Sequence, residues 1–296
     1  MKKIILYISG GAMRGIFSAG VVTYLEKINF YKNIKAIYAA SAGTFAGAYF
    51  LSRQTKLGFS IYSKDLTNDF ISTKDFWKAG LERIKNRFIP LKSDQKTDNT
   101  INIDYLINII KNKKKLNVKD VFDKQIDFYI KLFNLKTKKI EYKKANEKNL
   151  IKLLKAAVKI LPYVDKGEII NGNEYSDAAI VDMLGIEKIK EKHPNNKIVV
   201  IFNGPIKRNW LAFNLKNLIE GKIMEHEYGK GMLSPYLKAE KKTTKDLEKI
   251  KQDKNILLIH PPENNPTLSN TTDKDKLLKT YELGQKQARK IPNFLK

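Results

Sequence analysis

Two stretches decide the reading of this chain: Ile4-Ile5-Leu6-Tyr7-Ile8-Ser9-Gly10-Gly11-Ala12-Met13-Arg14-Gly15, and Ile34-Lys35-Ala36-Ile37-Tyr38-Ala39-Ala40-Ser41-Ala42-Gly43. Ile4–Ile8 reads as a buried strand that runs into a glycine-rich loop opening a helix over about residues 14–28. Ile34 to Ala40 reads as a second strand, with a helix over about 42–52 to follow. Strand, loop, helix and strand in this order predict a βαβ unit, hence a parallel sheet covered by helices. The first loop offers free backbone N–H groups at a helix N-terminus, a place for negative charge. The second puts Ser41 on a sharp strand-to-helix turn, where a hydroxyl stands exposed. An anion cradle beside an exposed serine suits acyl transfer.

Each loop also has a plainer reading. Ser41 fits a helix N-cap. Gly10-x-Ala12-x-x-Gly15 after a strand approximates a dinucleotide fingerprint. That fold calls for an acidic residue at the end of the next strand, and here the strand ends in Ala39-Ala40-Ser41. The missing acid counts against nucleotide binding. The small Ala39 and Gly43, two positions either side of Ser41, suit a tight elbow, because strand and outgoing helix would otherwise collide.

Further along, Ile126 to Phe133 and Lys139 to Tyr142 read as paired strands, and Lys197 to Phe202 and Asn255 to His260 as late strands. Leu150, Leu153, Leu154, Ala157, Val158 and Leu161 recur at helical spacing and predict a core-facing helix ended by Pro162. Residues 60–100 read as less regular, with Phe70, Phe76, Trp77, Phe88 and Pro90 among lysines. Lys241 to Lys254 reads as an exposed charged helix or linker, and Asp273 to Lys290 as a closing helix.

Two bases are open for Ser41. His260 follows a late strand and would complete the order of an α/β-hydrolase triad. Asp177, beside the small Ala178 and Ala179, would act directly as a carboxylate.

The chain has 296 residues, enough for one large α/β domain with a substantial core. There is no cysteine, so disulfides, thiolate catalysis and cysteine-based zinc sites are excluded. His193, His226 and His260 are too scattered to suggest a metal site. Net charge is +25, yet 50 of the 56 basic residues are lysine and six are arginine. A base-reading protein would use more arginine, so a solvated lysine-rich surface is the expectation and nucleic acid is not an expected partner. Basic charge also suits peripheral contact with an anionic membrane surface. No apolar run reaches the length of a membrane span. The short apolar stretch after Lys2-Lys3 does not read as a secretory signal, and a cytoplasmic location is expected.

Taken together, Gly10-Gly11-Ala12-Met13-Arg14-Gly15, Ala39-Ala40-Ser41-Ala42-Gly43 and Asp177-Ala178 resemble the ordered motifs of the patatin-like phospholipase family: G-G-G-x-[RK]-G, G-x-S-x-G and D-[GA]. Asn171-Gly172, Tyr175-Ser176-Asp177 and Tyr281-Glu282-Leu283-Gly284 extend the likeness, which spans about residues 4–290. The resemblance implies a single domain over 1–296, with the catalytic motifs within about 4–185. It implies a three-layer α/β fold with a central, mainly parallel sheet. It implies a lipid or phospholipid ester as substrate, Ser41 as nucleophile and Asp177 as base without a histidine, and no metal or cofactor. Gly10, Gly11, Ala12 and Arg14 would form the oxyanion hole, and Gly15, Ala39, Gly43 and Ala178 would support the motifs. A transacylase, or a lipid-binding protein with a weakened site, shares these features. Ala12 and Ala39 replace glycines of the family pattern, and Ala12 matters more if its position demands a positive φ.

Overall fold

The computed structural model describes residues 3–67, 102–164, 166–207 and 210–295. Phe70, Phe76, Trp77, Phe88 and Pro90 lie outside these residues. The strands are β1 (Ile4–Ile8), β2 (Ile34–Ala39), β3 (Asp127–Asn134), β4 (Lys139–Lys144), β5 (Glu168–Ile170), β6 (Asn173–Asp177), β7 (Ile198–Ile201) and β8 (Ile256–Ile259). The helices used below are α1 (Ile16–Lys27), α2 (Ala42–Leu51), α3 (Leu150–Ala157), α4 (Ile186–Lys192), α5 (Trp210–Tyr228), α6 (Leu233–Gln252) and α7 (Lys274–Ala288).

One eight-stranded sheet runs in the order β5-β6-β3-β2-β1-β7-β8, with β4 added to β3. The pairs β1–β2, β1–β7, β2–β3 and β7–β8 are parallel. Those of β3 with β4, β3 with β6 and β5 with β6 are antiparallel. The mainly parallel α/β sheet expected from the βαβ start is thus present, with an antiparallel flank.

Parallel strands covered on both faces are apolar throughout, and all five residues of β1 are buried. Alternation sends Ile4, Leu6 and Ile8 into one core layer and Ile5 and Tyr7 into the other. The first layer holds α1, α2, α3 and α7, and the second holds α4 and the end of α6. Helices α1 and α7 meet at glycines. A Cβ on Gly20 would lie 2.0 Å from the Tyr281 carbonyl oxygen, and one on Gly284 would lie 2.2 Å from that of Phe17. The closing helix therefore seats directly on the helix that follows the glycine loop.

Most boundaries fall within a residue or two of expectation. Helix α3 stops at Ala157 rather than running to Leu161, although Val158 and Leu161 stay buried. Its leucines face the core, as expected, and Lys152 faces outward. The charged segment 241–254 is the second half of the long helix α6. Helix α5 has no counterpart in the sequence reading.

Candidate active site

Sheet register explains why Ser41 and Asp177 meet. Ala39 at the end of β2 lies opposite Ile130 of β3. Asp177 at the end of β6 lies opposite Leu132. The other edge of β3 is occupied by β4 from Tyr129 to Asn134. Strands β2 and β6 therefore share one edge of β3 and approach each other end to end. Their terminal residues face positions only two apart on β3, and Ser41 follows Ala39 by two residues.

Ser41 holds φ 50° and ψ −133°, a conformation costly for a non-glycine residue. It occupies the N-cap of α2, yet its side chain makes no capping hydrogen bond. The plain N-cap reading therefore fails. The hydroxyl instead stands beside the Asp177 carboxylate, close enough to favour its ionised form. Backbone caps do the local work: Gly43 N–H donates to the Ala40 carbonyl and Thr44 N–H to the Ser41 carbonyl. Gly43 is also fixed by space, since a Cβ there would sit 2.5 Å from the Ile8 carbonyl oxygen and 2.6 Å from that of Ser9.

Asp177 is buried, and its carboxylate accepts the Ala179 N–H at 2.8 Å. Burial pushes its carboxyl up to about 6 from an ordinary 3.8, while the Ser41 hydroxyl, the Ala179 N–H and the charge of Lys131 draw it back. Lys131 is itself buried, 3.1 Å from Asp182. It ties down the loop that follows Asp177 by donating to the Asp182 carbonyl.

The glycine loop lies against the serine. A Cβ on Gly10 would come within 2.7 Å of the Ser41 Cβ, and its ideal position is 3.3 Å from Oγ. Ala12 takes φ 49°, so its methyl is accommodated in the left-handed region at a cost of about 1–2 kcal/mol. Among the described residues, the N–H groups of Gly10, Gly11 and Ala12 have no protein acceptor. Arg14 folds back on the loop: its N–H donates to the Gly11 carbonyl at 3.0 Å. Gly15 packs against Ala42 and the Tyr62 hydroxyl. Ala39, at the end of β2, and Ala178, just after β6, are fully buried.

Asn203 was not singled out in the sequence, and it holds the loop in place. Its Nδ2 donates to the Ser9 carbonyl at 2.7 Å and to Ser18 Oγ at 3.3 Å, and its Oδ1 accepts the Ser18 N–H at 3.2 Å. Its own N–H donates to Ser9 Oγ at 2.9 Å. The available signal was an asparagine ending a buried apolar strand just before Gly204-Pro205.

An apolar cavity of about 60 Å³ opens at Ser41. Met13, Val22, Phe45, Tyr62, Leu66 and Ile160 contribute to its wall.

His260 does not join the site. It ends β8, which β7 and β1 separate from β2. Three strand spacings amount to about 14 Å. Its Nδ1 sits 2.8 Å from the Pro261 carbonyl oxygen. His193 pairs with the Tyr38 hydroxyl. Among the described residues there is no cluster of histidine and carboxylate groups able to hold a metal ion, and no helix is long and apolar enough to cross a membrane.

A family model described as patatin-like phospholipase matches residues 6–188. Among solved structures, the crystal structure of VipD from Legionella pneumophila superposes with a TM-score of 0.52 at 13% identity, covering 99% of this chain and 67% of that one. No curated protein matches.

Proposed function

Because the chain belongs to the patatin-like phospholipase family, we propose that it is a serine acyl hydrolase that cleaves fatty-acyl esters of phospholipids or related lipids through Ser41 and Asp177. The observation that carries this reading is a strained, uncapped serine set beside a buried carboxylate at an apolar cavity. An acyl chain fills the cavity and sets its ester carbonyl at Ser41 Oγ. As Oγ bonds to the carbonyl carbon, its proton passes to Asp177. The carbonyl electron pair moves to oxygen, where the N–H groups of the Gly10–Ala12 loop stabilise it, with Arg14 holding the loop. Collapse breaks the ester C–O bond, and Asp177 returns the proton to the departing alcohol. Water then attacks the acyl-serine, giving its proton to Asp177. Release of the fatty acid restores the Ser41 hydroxyl.

Asp177 must be ionised to accept a proton. With its carboxyl pushed up to about 6, kcat/KM for a soluble ester is expected to rise with pH through that value and level off above it. A rate independent of pH between about 5 and 7 would remove Asp177 as base. His260→Ala is expected to leave kcat/KM within about twofold, since a group roughly 14 Å away takes no proton from Oγ. A loss beyond about tenfold would favour a triad instead. A panel of lipid esters with wild type, Ser41→Ala and Asp177→Asn side by side tests the substrate class, and added alcohol acceptors separate hydrolysis from acyl transfer.

A further inference from the structure

Helix α5 crosses the carboxyl edge of the sheet. It begins a few residues after Asn203, beyond β7. In passing, Glu220 accepts a hydrogen bond from Tyr163, just beyond the cavity-lining Val158 and Ile160. At its far end Tyr228 donates to Glu174 of β6 at 3.1 Å, and Lys138 of the β3–β4 hairpin reaches the Lys230 carbonyl. Nineteen residues span about 28 Å, more than the roughly 19 Å from β7 to the flank of β3. The helix therefore runs along the edge on which Ser41 lies.

Its outer face is apolar. Leu211, Leu215 and Ile219, four residues apart, are 72%, 62% and 38% exposed. Leu268, 65% exposed, stands in the segment after β8; the next residue, Ser269, accepts the Met13 N–H of the glycine loop at 3.2 Å. Leu211, Leu268 and Leu215 are the three most exposed large apolar side chains among the described residues. All three stand on segments leaving the carboxyl ends of β7 and β8, and these strands run parallel to β1 and β2, which carry the glycine loop and Ser41. Exposed Lys222 continues the line of the leucines as a positive charge, while Lys207 before the start of the helix is paired to Glu263. Glu220 is turned inward and buried. The whole chain carries +25.

We propose that the Leu211–Leu215–Ile219 ridge with Leu268 is the face by which this protein docks on an anionic lipid surface, setting the cavity mouth against its substrate; this rests on the acyl-hydrolase reading above. Apolar side chains enter the headgroup boundary while lysines meet anionic headgroups.

The test uses the inactive Ser41→Ala chain, so binding is read without turnover. It is sedimented with vesicles of phosphatidylcholine and phosphatidylglycerol. Adding Leu211→Ser and Leu215→Ser is expected to weaken binding about tenfold or more, whereas Leu278→Ser, an exposed leucine on α7, leaves it unchanged. Lys222→Glu, a variant without apolar loss, is expected to weaken binding to the mixed vesicles and not to pure phosphatidylcholine. Undiminished binding of the double variant, or equal loss in Leu278→Ser, would overturn the proposal. So would a concentration-dependent dimer, seen by ultracentrifugation, that the double variant dissolves, since a second copy would then cover the ridge. Hydrolysis of a soluble ester by the Ser41 chain, measured in parallel, reports on the acyl-hydrolase reading separately.

Discussion

Ser41→Ala is expected to lower the hydrolysis of lipid esters by about 10⁴-fold or more, because removing a nucleophile ends the covalent route and leaves only binding and oxyanion stabilisation. KM should change little, since the apolar side chains that line the cavity beside Ser41 are unchanged. The fold should be retained. Ser41 makes no side-chain cap to α2, and the backbone bonds from Gly43 and Thr44 that start the helix survive the change. The variant does leave the left-handed backbone of position 41 to an alanine, much as Ala12 already takes φ 49° in the neighbouring loop. Steady-state kinetics on a soluble ester, with circular dichroism as the control for folding, measure this directly. Activity within tenfold of wild type would require another nucleophile.

Asp177→Asn should have an effect nearly as large on rate and the opposite effect on stability. An amide accepts the Ala179 N–H as the carboxylate does, but it takes no proton from Ser41, so turnover falls by about 10³-fold or more. A carboxyl held near 6 in the native state and near 3.8 when unfolded binds its proton more tightly in the native state. Native stability therefore declines as pH rises from about 4 to 6, and above that window the ionised group costs about 3 kcal/mol. The neutral asparagine removes most of this cost. Thermal unfolding at pH 7 should show a gain of about 1–3 kcal/mol that vanishes near pH 4. Loss of activity together with loss of stability at pH 7 would mean that Asp177 is chiefly structural.

These two residues were legible because their surroundings are local. Apolar residues from Ile4 to Ile8 and the small residues around Ser41 announce a strand and an elbow within a dozen positions. Asp177 stands out beside two alanines. What the chain did not reveal is carried by long-range register. That β2 and β6 share one edge of β3, so that Ser41 meets Asp177, follows from pairings across about 91 and 45 residues, respectively. Asn203 is a lone polar residue whose partners, Ser9 and Ser18, lie about 190 positions away. Helix α5 escaped notice because leucines recur on its solvent side as well as its core side, which blurs the periodicity that marks an ordinary surface helix. His260 illustrates the converse. Its place after a late strand fits a triad in sequence, but sheet order removes it from the serine.

The proposed nucleophile is Ser41, activated by Asp177. Reaction of the protein with a fluorophosphonate ester, followed by peptide mass spectrometry, reads out that nucleophile by its covalent adduct. A single covalent adduct on Ser41 is expected, formed at a rate that falls sharply in Asp177→Asn and stays unchanged in His260→Ala. An adduct on a different residue, or labelling of Ser41 at the same rate with and without the Asp177 carboxylate, would contradict it.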